Sequence, residues 1–223
     1  MDQLLYFILG ALDVLALLTL ALKAFRFPLR TYIGSLVVIA VCASLLSYTN
    51  RMVLLIPEWD LLAQLILFIV LLRLLLKVHW HEAATIATVG TLFISLISCT
   101  AYATLVALKI FDPSIANDNI GLGVHLIQIT SEAACFLTCY FLHLRRYGFT
   151  SIVIPTTNKI VMHKTSALDR LITGAAVISS LLIVLGINWI MVNFYSVIIV
   201  IPSIAAALII LIRMSYQKEL QQH

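Results

Sequence analysis

Residues 125–143 read HLIQITSEAACFLTCYFLH, a stretch long and apolar enough to cross a bilayer, yet with Glu132 at its centre. How that segment is read decides the fold. A helix advances about 100° per residue. With Glu132 at zero, His125, Gln128, Cys135, Cys139 and His143 fall in one narrow arc, Ser131 flanks it and Thr130 lies nearly opposite. One helix face is therefore polar from end to end. In a membrane protein such a face turns toward other helices or a wet cavity, not toward lipid.

Composition supplies the solvent for this reading. The 223 residues are 62% hydrophobic and only 11% charged, with a mean hydropathy of +1.09. Soluble domains are nearer half apolar and a quarter charged. Divided into membrane-length segments of about 20 residues, the chain reads as one integral membrane domain over 1–223. The expected fold is all-α, a polytopic transmembrane helix bundle of seven spans at about 3–22, 32–50, 59–78, 83–108, 121–144, 169–187 and 194–213. Lipid leaves no water to satisfy an open backbone, which makes each span a helix.

Lys and Arg assign sides to these spans. With the N-terminus outside and the C-terminus cytoplasmic, twelve of the fourteen basic residues fall inside and only Arg51 and Lys109 outside. Trp59, Trp80 and Trp189 sit at span ends, where interfacial aromatics belong. The net charge of +4 follows from basic cytoplasmic loops facing anionic lipid, and no nucleic-acid motif accompanies it. The first span has no basic leader and is followed by Lys23, Arg26 and Arg30, so it reads as a retained helix rather than a cleaved signal. The four cysteines lie within spans, without disulfide-framework spacing.

Two acids stand out. Inserting a carboxylate at the bilayer centre costs about 2.5–3.5 kcal/mol on insertion scales, so Glu132 is expected to be functional, paired or protonated. Asp13 lies midway along the first span, at a similar depth, and the two could share a proton if their helices touch. Arg73, in FIVLLRLLLK at 68–77, either snorkels to the inner interface or pairs with one of the acids. Gln64, nine residues earlier, points from the opposite helix face. The candidate ligand or proton site is thus Glu132, Asp13, Gln128, His125 and Arg73.

Catalytic and metal patterns are weak. His79, His81 and Glu82 do not form the HExxH pattern of a zinc protease. Cys135, Cys139 and His143 lack a second ligand cluster for a soft metal. The acidic turn with Asp112, Asn117, Asp118 and Asn119 lacks the spacing of a calcium loop. No metal, haem or other cofactor is expected, and no enzymatic activity. Small residues in the fourth span (Gly90, Ser95, Ser98, Cys99) and the sixth (Gly174, Ala175, Ala176, Ser179, Ser180) suit close helix packing. Pro202 removes a backbone donor from the seventh.

The chain leaves the last span through RMSYQKELQQH at 213–223, a run of good helix formers. With the multi-span, N-out layout and basic inner loops, this exit resembles the polytopic sensor region of Agr-type, peptide-sensing bacterial histidine kinases. The resemblance implies a bacterial plasma membrane and a detached sensor, since the phospho-acceptor helix and ATP-binding domain of that family are absent from these residues. A second comparison, the membrane peptidase that matures Agr-type peptides, fails on its Gly-Gly-x-His pattern, of which GLGVH at 121–125 is only an echo.

Three functions are therefore expected in order. The first is a non-enzymatic signal-receiving or regulatory module acting through a cytoplasmic kinase or regulator, with a homodimer as a further partner. The second is a small proton-coupled transporter using Glu132 and Asp13. The third is a membrane scaffold or assembly factor whose polar stripe only joins helices.

Overall fold

The computed structural model describes residues 2–112, 121–145, 148 and 167–222. Pro113, Asn117, Asp118 and Asn119 of the acidic turn, and Arg146, Pro155, Lys159 and Lys164 of the long basic connector, lie outside them.

Seven α-helices account for the described fold: α1 (Asp2–Ala24), α2 (Leu29–Tyr48), α3 (Pro57–Leu75), α4 (Trp80–Ala107), α5 (Leu122–Leu144), α6 (Ala167–Val192) and α7 (Val197–Gln222). The all-α reading holds, but the count of seven membrane spans does not. Among the described residues, five helical stretches are long and apolar enough to cross a membrane: Leu5–Ala24, Leu29–Val53, Trp80–Ala107, Leu168–Val192 and Phe194–Leu220. The segments expected to span at 59–78 and 121–144 are not among them. Within its 19 residues α3 holds Glu58, Asp60 and Arg73, and the polar stripe of α5 dilutes its apolar content. Both helices obtain their setting from neighbours rather than from lipid alone. With that count corrected, the alternation of sides that placed the N-terminus outside no longer follows from the helices.

At the centre stands α4, which packs against α1, α3, α5, α6 and α7. Small residues make this possible: Ala83, Ala87, Thr88, Gly90, Ser95 and Cys99 are all buried. At Gly90 an added Cβ would lie 2.8 Å from Ala21 Cβ and 2.9 Å from Leu17 Cδ2, so α1 and α4 meet almost backbone to backbone. Small residues at such crossings drive helix association where the hydrophobic effect cannot. The same device joins α6 to α7, where a Cβ on Gly186 would meet Val200 Cγ1 at 2.9 Å. In contrast, Gly174 has nothing within 4 Å of its Cβ position, so it is no packing notch.

Two further contacts fix the partners of α1, which lies against both α2 and α5. Past α2 the chain widens into a π-helical turn over Thr49–Val53, closed by Leu54 N–H donating to Thr49 O at 2.8 Å. Single π-turns of this kind recur at functional sites. Here the turn carries Asn50 and Arg51 back toward the bundle.

Candidate functional site

The polar stripe of α5 faces inward, onto α1 and α4. Ser131, Glu132 and Cys135 are buried, whereas Thr130 is exposed and its hydroxyl donates to Leu126 O of its own helix at 2.7 Å. Cys139 Sγ lies 3.9 Å from Thr19 O on α1. The stripe ends at His143, which is exposed.

Opposite the stripe, α1 presents Asp13. Glu132 feels the charge of the Asp13 carboxyl across the α1–α5 contact. Glu132 is 6% exposed, and its Oε1 finds no hydrogen-bond partner among the described residues. Asp13 makes no hydrogen bond there either, but it retains accessible surface deep in the bundle. That surface opens onto two cavities. The larger, about 280 Å³, is lined by the polar side chains of Asp13, Arg51 and Gln128 and by apolar ones such as Ile94, Ile127 and Ile190. The smaller, about 60 Å³, again holds Asp13, Arg51 and Gln128, together with Tyr6, Ser47 and Gln64. Asp13 and Arg51 attract one another electrostatically without closing into an ion pair.

Arg51 is held from its far side by Asp60 of α3, a residue that is completely buried. Arg51 Nε donates to Asp60 Oδ2 at 2.6 Å, Ser47 Oγ donates to the same oxygen at 2.8 Å and Gln64 Nε2 at 3.1 Å. Asn50 Nδ2 donates to Asp60 Oδ1 at 3.3 Å. Four donors from α2, its π-turn and α3 thus converge on one carboxylate, which holds the Arg51 guanidinium in place. Since Ser47 spends its single hydroxyl proton on Asp60, Tyr6 OH must donate to Ser47 Oγ, 3.2 Å away. The chain Tyr6, Ser47, Asp60 ties α1, α2 and α3 into one polar unit.

A second charge cluster sits at the opposite end of α4. Lys218 Nζ of α7 lies 2.9 Å from Asp169 Oδ1 of α6, with His81 Nε2 of α4 at 4.0 Å from that same oxygen. Next to it, Glu82 accepts from the backbone N–H of His79 at 3.0 Å and closes a capping box at the start of α4. The cluster pins the polar extension of α7 onto α4 and α6.

Of the candidate residues, the structure brings Asp13, Gln128 and Glu132 together. His125 Nδ1 lies 3.4 Å from Gln128 Oε1, one turn further along α5. Arg73 is elsewhere: its Nη1 donates to Val78 O at 2.8 Å, and its guanidinium carbon lies 6.0 Å from the Trp80 ring centroid. It caps the α3–α4 connection and meets neither acid. Gln64, read only as the residue opposite Arg73, is a direct partner of Asp60. Three site residues escape sequence reasoning: Arg51, counted only as a loop charge, and Asp60 and Asp169, which look like helix-end acids. The one available signal for Arg51 was its place as an isolated basic residue among apolar and acidic neighbours. Among the described residues no group of three His, Cys, Asp or Glu side chains is gathered as a metal site.

Fold and site together define a multi-pass, largely helical membrane protein with a buried network of Asp, Glu, Arg, His and Lys. The chain matches no family model, no curated protein and no solved structure. Its function is therefore argued from the site.

Proposed function

We propose that the chain is a small proton-coupled carrier in which Asp13 and Glu132 hold the exchangeable proton and the adjoining cavity admits the solute. One observation carries this reading: two acids on facing helices that have no hydrogen-bond partner among the described residues, one of them opening onto a cavity of about 280 Å³ that also holds a fixed cation. Structural acids in a membrane bundle are paired or saturated by donors, as Asp60 is. Among the described residues Asp13 and Glu132 are neither, and coupled like charges favour a shared proton.

This ranks above a signal-receiving module with a cytoplasmic kinase or regulator. Such a module needs an output helix able to move, and the polar end of α7 is clamped by Lys218 and Asp169. The support for a bacterial plasma membrane is the likeness to kinase sensor regions noted above.

The test uses the purified protein in liposomes with a trapped pH-sensitive dye, challenged with a panel of small organic anions, cations and zwitterions. At least one class should drive proton movement that is lost in Asp13→Asn and Glu132→Gln, with both variants folded. No solute-dependent proton movement across the panel, or movement unchanged in both variants, refutes the carrier.

A further inference from the structure

The larger cavity carries a more specific reading, which rests on the carrier proposal and concerns the class of solute. Its lining is mixed in chemistry. Much of it is apolar, from Leu61, Ile94, Ile127, Ile187, Ile190 and Met191. The polar part comes from Asp13, Arg51 and Gln128 and from Ser95, Ser98 and Ser131. An occupant must then be amphipathic, with a compact apolar body and one polar end.

The charge of that polar end follows from Arg51. Among the described residues its guanidinium makes one hydrogen bond, from Nε to Asp60 Oδ2. Both Nη groups have no acceptor among the described residues, in a side chain that lines both cavities. A guanidinium offers a planar fork that matches a carboxylate in bidentate fashion. Asp60 is saturated by four donors, so it holds Arg51 in place but cannot also occupy the fork. Asp13 lines the same cavity and feels the charge of Arg51 without forming an ion pair with it. The cavity space at the open fork is where an anion would be bound.

Size narrows the class further. A cavity of about 150 Å³ holds benzene. At about 280 Å³ this one takes a body of roughly ten non-hydrogen atoms by the same scale, well short of a long acyl chain.

We propose that this cavity binds a compact monocarboxylate, its carboxylate on the Arg51 fork and its apolar body against α4, α5 and α6, and that it binds together with a proton on Asp13. The coupling is electrostatic. The other titratable and charged groups around Asp13 are Tyr6 on α1, Arg51 in the π-turn and, behind it, Asp60 on α3. From α4 come Cys99 and Tyr102, and from α5 Glu132 and Cys135. Arg51 and Asp60 offset each other. An anion on Arg51 therefore meets unbalanced negative charge if Asp13 is ionised, and meets none from it if Asp13 is protonated. Anion and proton enter together and leave together, so the loaded site gains no net charge.

Benzoate is the probe, measured by calorimetry and saturation-transfer NMR on the full chain in a non-ionic detergent, with benzamide as neutral isostere and oleate as the bilayer-derived carboxylate. Wild type should bind benzoate saturably and prefer it to benzamide and oleate. Benzoate stays ionised between about pH 8 and pH 6, so tightening over that interval reports the protein; it should be present in wild type and absent in Asp13→Asn, which mimics the protonated acid. Arg51→Lys keeps the charge opposite Asp60 but loses the fork, and should weaken binding about tenfold. Ser98→Phe fills the cavity without touching the ion pair and should abolish binding while the unfolding temperature is retained. Equal binding of benzamide, preference for oleate, or benzoate binding indifferent to Ser98→Phe overturns the monocarboxylate. If benzoate fails while another class drives proton movement in liposomes, the carrier stands and this solute class falls. If neither assay responds, the carrier reading falls with it.

Discussion

Asp60→Asn tests the framework that holds the site. The substitution keeps the volume and one acceptor but removes the charge on which Arg51, Ser47, Asn50 and Gln64 converge. Removing one partner of a buried ion pair costs about 3–5 kcal/mol, because the other charge is left uncompensated. Arg51 retains 33% of its side-chain exposure, so water takes up part of the loss and the expected cost lies near the lower bound, about 3 kcal/mol. In a chain of this length that corresponds to a fall of ~6–12 °C in unfolding temperature. Thermal unfolding in detergent, followed by far-ultraviolet circular dichroism, reads it directly. The paired variant Arg51→Gln with Asp60→Asn restores neutrality, so it should cost less than the sum of the two single changes. A fall below about 2 °C in Asp60→Asn, or strict additivity in the pair, would show that Asp60 is not what fixes Arg51.

Three further outcomes follow from the packing and the charges. Ala ordinarily stabilises a helix over Gly by about 1 kcal/mol, yet Gly90→Ala should destabilise by about 1–3 kcal/mol because its Cβ would run into Ala21 and Leu17. Gly174→Ala, with open space around it, should instead gain about 0.5–1 kcal/mol, and equal signs in the two unfolding curves would contradict the α1–α4 contact. Lys218→Gln should cost about 3 kcal/mol with little dependence on salt, since the partner Asp169 is buried; proteolysis of the α7 extension should accelerate, and an unchanged digestion rate would mean the clamp does not hold. Glu132→Gln should leave stability within about 1 kcal/mol, because its carboxyl has no hydrogen bond to lose among the described residues, and a larger loss in chemical unfolding would reveal a structural partner.

The local order of this chain is legible without coordinates, because it is written in short-range patterns. Apolar runs bounded by charge, Pro and Asn mark the helices, and helical periodicity alone turns His125, Gln128, Glu132 and Cys135 to one side of α5. The small residues of the fourth segment foretell a helix crowded by neighbours, and α4 is that helix. Periodicity, however, cannot say which helix lies opposite. Packing in lipid is decided by the fit of small notches such as Gly90 against Ala21, and that fit depends on side chains seventy residues apart. Only the tertiary structure sets Asp13 beside Glu132, and only the π-turn after α2 brings Arg51 back from a loop into a cavity. It also sends Arg73 to Val78 and Trp80 rather than to an acid, since a long side chain near a helix end finds its nearest carbonyl first. The reading of seven spans failed for a related reason: α3 and α5 are apolar enough to be helices in a bundle, but their charged and polar residues are satisfied by Asp60's four donors and by the inward stripe, contacts that no segment makes by itself.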